Sequence, residues 1–291
     1  MRQYSRFTPY LYVLPLVLLL AFVFGYPLVR IFEFSFKLVR GIDGPWIGFR
    51  NYDLILGQDL FWDSVRHNLF LLLAVPAMVI WSLLISIVLY ERIKGWKLYR
   101  IVLFFPYILA IPIIAAIMKK MFQFNGPVNE ALRWIGADFL ALDWIGSSDV
   151  ALWTVMLLII WRESALGIIL FLARLLSLPG DLYEAIKVDG AGFWRSHWHV
   201  TLPMMRSIIG FYVVIEGITL FSWVFSYVYV MTRGGPGDAT QVTETYIYDN
   251  AFTSDIPWLA ASAATVLLLG FLVLAAAFLV FRAVLPKRSL G

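Results

Sequence analysis

Three ionisable side chains stand deep inside apolar sequence: Arg162 and Glu163 near the middle of "ALWTVMLLIIWRESALGIILFLA", and Glu216 a few turns into "IIGFYVVIEGITLFSWVFSYVYV". A charge at bilayer depth costs at least ~2.5 kcal/mol and usually faces a bundle interior or a wet cavity, so each is a candidate functional group. Two readings stay open. By span counting Arg162 and Glu216 reach comparable depths, so they either pair and hold two helices together or line a path for a solute. At about 100° per residue, Tyr212, Glu216, Thr219, Trp223 and Tyr227 fall on one narrow helical face. A sugar offers hydroxyls to Glu and Thr and an apolar C–H face to Trp and Tyr, so this mixture suits a carbohydrate better than a metal ion or a lipid tail. Tyr227, close to the outer boundary, also fits an interfacial aromatic belt.

Other chemistries lack their parts. No G-x-x-x-x-G-K-[ST] phosphate loop occurs, and "GGPG" at Gly234 to Gly237 has neither the lysine nor the following helix. His197 and His199 are two apart and point in different directions on a helix, and His67 has no evident partner, so no metal site is expected. "GSSD" at Gly146 to Asp149 reads as a helix start rather than a serine nucleophile, and no potassium-type selectivity filter is present. The chain has no cysteine, hence no disulfide framework or thiolate chemistry. No catalytic residue is expected.

The elements that must hold these groups are membrane helices. Hydrophobic residues make up 61% of the 291 and charged residues 14%, against about half and a quarter in soluble domains. Mean hydropathy is +0.81. A bilayer core needs roughly 20 apolar residues per helix, and six windows meet it: about 10–36, 69–90, 101–118, 150–173, 208–230 and 258–281. The first is too long for a signal-peptide core and lacks a small-residue cleavage pattern, so it is expected to be retained. Basic residues favour cytoplasmic loops. One alternating set of segments holds Arg2 and Arg6; Arg92, Lys94, Lys97 and Arg100; Arg174, Lys187, Arg195 and Arg206; and Arg282, Lys287 and Arg288. Both termini are therefore expected in the cytoplasm, in an all-α, single membrane domain spanning 1–291. The segments 37–67, 119–149 and 231–257 would be caps at the outer surface, and the surroundings include membrane lipid but no nucleic acid.

One polar stretch remains, "LPGDLYEAIKVDGAGFWRSHWHVTLP" from Leu178 to Pro203, on the cytoplasmic side between the fourth and fifth windows. Pro179 and Gly180 end a helix, Asp181 with Glu184 forms a capping box for a short helix, and Gly190 can take the left-handed turn that stops it. A further helical turn or two carries Phe193, Trp194 and Trp198 as far as Pro203. The short helix would lie against the membrane domain and present Tyr183, Glu184 and Lys187 outward, shaped to dock into another protein.

This stretch resembles the EAA motif of the permease subunits of binding-protein-dependent ABC importers. Glu184, Ala185, Gly190, Val200, Leu202 and Pro203 keep the motif's spacing, with Ile186 in place of its second Ala. "LPGDLYEAIKVDGA", "MTRGGPGDATQVTETYIYDNAF" from Met231 to Phe252, and the first apolar stretch are similar to segments of carbohydrate permeases of the maltose and glycerol-phosphate type. The resemblance implies a type I importer transmembrane domain in the plasma membrane of a prokaryote, of the kind that comes first of two non-identical permeases. It implies further partners: a second permease subunit, two cytoplasmic ATPase subunits and an extracytoplasmic substrate-binding protein. ATP and Mg would then be bound by the partner ATPases and no cofactor by this chain, which is not itself an enzyme. Tyr183, Glu184, Ala185, Ile186, Asp189, Gly190 and Pro203 would serve ATPase coupling, with Glu184 the contact to a basic residue. Gly234, Gly235, Pro236 and Thr240 would lie at the outer mouth near the binding protein. Arg162, Tyr212, Glu216, Thr219, Trp223 and Tyr227 would line the substrate path. The same machinery could carry glycerol phosphate or a polyol. A secondary transporter would need ion-coupling carboxylates, inverted repeats and broken helices, which the sequence does not display.

Overall fold

The computed structural model describes residues 8–188 and 190–284, in which the regular elements are helical. In chain order they are α1 (Thr8–Leu20), α2 (Tyr26–Ser35), α3 (Arg50–Leu56), α4 (Asp59–Leu71), α5 (Ala74–Tyr90), α6 (Trp96–Ile108), α7 (Ile111–Met121) and α8 (Pro127–Trp134). There follow α9 (Ala151–Leu176), α10 (Gly180–Val188), α11 (Phe193–Ser196), α12 (Leu202–Ser222), α13 (Val224–Met231), α14 (Thr243–Tyr248) and α15 (Pro257–Val284). Two compact units result, Met1–Trp62 with Tyr246–Gly291, and Asp63–Thr245.

Prolines set most of the irregularities. Wider π turns occupy Ala21–Gly25, His197–Thr201 and Asp249–Thr253, and the first two run directly into helix carrying a proline, Pro27 and Pro203. A proline has no N–H to return and its ring crowds the carbonyl four residues back, so the preceding turn widens to make room. Helix α12 is thereby continuous with α11, and Phe193–Ser222 is one apolar stretch of 30 residues. The expected stop at Pro203 does not occur, because the π turn absorbs it.

Among the described residues, four helical stretches are long and apolar enough to cross a membrane: Tyr10–Ser35, Asp59–Tyr90, Ala151–Leu176 and Phe193–Ser222. The window expected as one helix over 101–118 is instead two, α6 and α7, bent by 104° at Leu109 and Ala110. Pro112 explains the break, since within a continuous helix it would leave Ile108 without a donor and clash with its carbonyl. Counted together, this pair makes a fifth candidate span. The window expected over 208–230 is also interrupted, at Trp223 (φ −125°), where α12 hands over to α13. The last window falls on α15, whose apolar described part is Pro257–Val273.

In the first unit, α2, α3 and α15 meet at Ser35. Asn51 Nδ2 donates to the carbonyls of Ser35 (2.9 Å) and Lys37 (3.0 Å), and Ser262 Oγ donates to the Ser35 carbonyl at 3.3 Å. Lys37 is paired with Glu33 (2.5 Å) and Asp43 (2.9 Å), which folds the 37–46 loop back on itself.

The second unit is built on α9, buried along much of its length and packed against α5 and α12. Gly167 is where the three helices come closest. A Cβ there would lie 2.5 Å from Ser82 Oγ and 2.7 Å from Tyr212 Cζ. Ser82 Oγ uses the closeness to donate to the Ser164 carbonyl at 2.9 Å. Phe171 packs edge-on to Tyr212 with centroids 5.3 Å apart, and the apolar core spreads from there to Met78, Ile159 and Met205.

Candidate functional site

Leu109 and Ala110 adopt extended backbone between two helices, which frees the last carbonyls of α6 inside an apolar unit. Such carbonyls need donors, because nothing in hydrocarbon replaces them. Arg162, from the middle of α9, supplies them: one terminal nitrogen donates to the carbonyls of Leu109 (2.9 Å) and Tyr107 (3.3 Å). The other donates to Glu163 Oε1 at 2.5 Å and to Tyr227 Oη at 3.4 Å. Tyr227 in turn donates its hydroxyl to the Glu163 carboxylate, and Tyr212 donates to the Glu163 carbonyl at 3.1 Å. A charged knot thus ties the broken helix to α9, α12 and α13, with Arg162 over the Tyr107 ring at 5.0 Å.

The Arg162–Glu216 ion pair offered by the sequence is not formed. Arg162 pairs with its chain neighbour Glu163, while Glu216 is 1% exposed and neither carboxylate oxygen has a hydrogen-bond partner.

Beside the knot lies a cleft of ≈ 480 Å³. Tyr107, Ala110 to Pro112, Arg162, Glu163, Thr219, Trp223 and Ser226 line it. The six residues expected along the substrate path therefore separate. Arg162, Thr219 and Trp223 reach the cleft, whereas Tyr212, Glu216 and Tyr227 are buried in the packing behind it. The break at Trp223 ends the single helical face on which the stripe depended, and Trp223 is 56% exposed while Tyr227 is 1% exposed. Tyr107, Ser226 and the α6–α7 break escaped the sequence reading. Pro106 and Pro112, bracketing "YILAI", were the available signal for the break.

At the end of α9 the polar stretch folds as α10, which begins at Gly180, so Asp181 lies in its first turn rather than at its cap. Glu184 is exposed, Ile186 half-buried, and Gly190 (φ +73°) makes the left-handed turn. Asp189 and the side chain of Ala185 lie outside the described residues. Tyr183 turns inward rather than outward. Its hydroxyl bonds Thr201 Oγ1 at 2.9 Å, and its ring lies 6.0 Å from Tyr90 and 6.2 Å from His197. Burial pushes the Tyr183 phenol up, so it stays protonated. His197 Nδ1 shares the same Thr201 hydroxyl at 2.8 Å, and Nε2 faces Glu91 at 3.7 Å. Pro203 stands at the start of α12, directly after the π turn. His67 and His199 are also engaged, with the carbonyls of Gln241 and Arg195.

The 232–245 loop is held by its own hydroxyls. Thr240, expected at a surface with Gly234, Gly235 and Pro236, is fully buried. It donates to the Gly235 carbonyl at 2.8 Å and meets Thr232 Oγ1 at 2.7 Å. Gly234 (φ +86°) is buried too, with no room for a Cβ against Gln241, while Gly237 and Asp238 are exposed. Asn68 anchors the end of the loop. It accepts from the Thr243 N–H at 2.8 Å and donates to Glu244 at 3.2 Å.

The family described as binding-protein-dependent transport system inner membrane component matches residues 65–289. The chain is 28% identical to the probable ABC transporter permease protein YurN of Bacillus subtilis, over 91% of this chain and 92% of that one. It is 30% identical to the sulfoquinovosyl glycerol transport system permease protein SmoG of Agrobacterium fabrum, over 84% of this chain and 80% of that one. A bacterial ABC transporter involved in the import of the acidic polysaccharide alginate has a chain of similar fold. Its TM-score is 0.78 at 22% identity, with 95% of each chain covered. A second structure of an alginate transporter, in complex with an alginate-pentasaccharide-bound periplasmic protein, gives 0.75 at 22% identity, over 88% of this chain and 87% of that one.

Proposed function

Since the chain belongs to the family of binding-protein-dependent transport system inner membrane components, we propose that it is one of two permease subunits of an ATP-driven carbohydrate importer. The observation that carries this reading is the cleft at the α6–α7 break. Tyr107 and Trp223 offer ring surface to the C–H face of a sugar, and Thr219 and Ser226 offer hydroxyls. A relative named for sulfoquinovosyl glycerol transport supports the substrate class. A sugar is favoured over glycerol phosphate, because the terminal nitrogens of Arg162 are already engaged by Glu163, Tyr227 and two carbonyls.

In this reading the protein crosses a prokaryotic plasma membrane six times with both termini in the cytoplasm. The second permease completes the path, and an extracytoplasmic binding protein delivers solute near Gly235 and Pro236. Two separate ATPases bind Mg and ATP. Their closure moves α10 through Glu184, and the helices around the cleft reorient between outward and inward access. Energy enters through that contact, so the permease needs no phosphate loop of its own.

The test is uptake by the full importer reconstituted in vesicles. Trp223→Ala and Thr219→Val should raise the solute concentration for half-maximal uptake at least tenfold, with ATPase binding intact. Glu184→Lys should abolish uptake by releasing the ATPase or uncoupling its hydrolysis. Unaltered uptake and assembly in Glu184→Lys would overturn the coupling role, and unaltered affinity in the cleft variants would overturn the path. Uptake that follows an ion gradient after ATP depletion would instead favour a secondary transporter, for which the broken α6–α7 pair and the unpartnered Glu216 are the relevant features.

A further inference from the structure

Helix α6 is a rib between two apolar grooves. One, of ≈ 340 Å³, is lined by Trp81, Leu84 and Val88 of α5 and by Tyr99, Val102 and Leu103 of α6. The other, of ≈ 460 Å³, lies between Ile101, Phe104 and Ile108 of α6 and Ile169, Leu172 and Leu176 of α9, and Arg100 is part of its wall. Positions 99, 102 and 103 therefore serve one side of the rib and 101, 104 and 108 the other, as a period of 3.6 requires.

Both grooves begin at the level of the α5–α6 turn. Arg92 (φ 52°) and Gly95 (φ 86°) take left-handed backbone there and reverse the chain within a few residues. The turn and the first turns of α6 carry Arg92, Lys94, Lys97 and Arg100, all exposed. Lys97 lies 5.9 Å over the Trp96 ring. Glu91, the adjacent acid, faces His197 instead. Among the described residues no carboxylate pairs with any of the four cations. From the turn the α6 side of the second groove, Arg100 to Ile108, runs about 12 Å at 1.5 Å per residue. One leaflet of the hydrocarbon core is about 15 Å deep, half of the usual ~30 Å.

We propose that this is a binding site for one anionic phospholipid. Its phosphate sits on Arg92, Lys94 and Arg100, and its two acyl chains lie in the grooves on either side of α6. The combination selects that occupant. Two apolar slots of leaflet depth separated by one helix fit a two-chain lipid, and a cluster of unpaired cations at their common end fits an anionic rather than a zwitterionic headgroup. The site shares no residue with the cleft or with α10, and its occupancy requires neither a transported solute nor ATP.

The experiment extracts the full-length protein from vesicles of equal parts phosphatidylglycerol and phosphatidylcholine and counts retained lipid by native mass spectrometry. Wild type should retain phosphatidylglycerol at least tenfold over phosphatidylcholine, and R92Q/K94Q/R100Q should bring that ratio near one. Val102→Trp, which fills one groove and leaves the cations, should lower phosphatidylglycerol retention several-fold. Should the triple variant fail to fold, judged by tryptophan fluorescence, Arg100→Gln alone should still lower the ratio measurably. Equal retention of the two lipids by wild type, or a preference that survives the loss of the cations, would overturn the site. So would a photo-crosslinker at Tyr99 that captures a protein chain in place of lipid.

Discussion

Removing the guanidinium of Arg162 should leave the Glu163 carboxylate buried with one hydroxyl as its remaining partner, and two helix-end carbonyls without donors. Breaking a buried pair from one side costs about 3–5 kcal/mol, mostly the penalty of the stranded charge. Arg162→Met should therefore lower the thermal midpoint followed by tryptophan fluorescence, and R162M/E163Q should recover much of the loss because no charge is then stranded. Equal midpoints for the single and double variants would show that the carbonyls, not the carboxylate, set the cost. Glu216 presents the opposite case. Its oxygens are buried and bond to nothing, so the folded state gains nothing from them. Glu216→Leu should leave the midpoint unchanged or raised. A destabilised Glu216→Leu protein would assign the carboxylate a structural role.

At the scale of elements, Gly167 and the Asn68–Glu244 contact make separate demands. A methyl at Gly167 would overlap Ser82 and Tyr212, and overpacking of this kind costs typically ~1–3 kcal/mol. Gly167→Ala should lower the midpoint, and G167A/S82G should restore part of it by reopening the α5 side of the contact. Burial pushes the Glu244 carboxyl up to about 7, against weaker opposition from the hydrogen bonds of Asn68 and Thr243. Between 4.5, its ordinary value, and about 7, the folded protein holds a proton that the unfolded chain has released. Stability should thus fall as pH rises through that window, by at most on the order of 3 kcal/mol. Unfolding midpoints at pH 5 and pH 8 measure it, and Glu244→Gln should flatten the dependence. What the sequence made legible at this scale follows the same physics. The helix around Arg162 and Glu163 was readable from its apolar run, and the turn at Gly190 from its residue type. The α6–α7 break and the π turns before Pro27 and Pro203 were not, because hydropathy counts apolar residues and is blind to a missing N–H, and no residue type marks the interruption at Trp223. Nor could depth along a helix reveal the partner of Arg162. Depth fixes height but not direction, and Glu163 became that partner only because Tyr227 and the broken helix arrive at the same point.

For the whole molecule, the proposed coupling raises the question of how motion delivered at α10 would reach the cleft. The described contacts offer a route. Tyr183 on α10 bonds Thr201, and Thr201 lies in the helical stretch Phe193–Ser222, whose far end carries Thr219. A helix transmits displacement along its axis with little loss, so under the proposed coupling the hydroxyl bridge would be the link between α10 and the cleft wall. Tyr183→Phe removes that bridge while keeping the ring against Tyr90 and His197. Its cost in stability should be only about 0.5–1.5 kcal/mol, and the exposed Glu184 remains available to a partner. The reconstituted importer should then bind its ATPase normally and hydrolyse ATP at a rate near wild type, yet import several-fold fewer solute molecules per ATP. Glu184→Lys should differ by losing assembly or hydrolysis control as well. If Tyr183→Phe imports at the wild-type ratio, displacement reaches the cleft by another path, and the turn at the end of α9, continuous with α10, becomes the element to vary next.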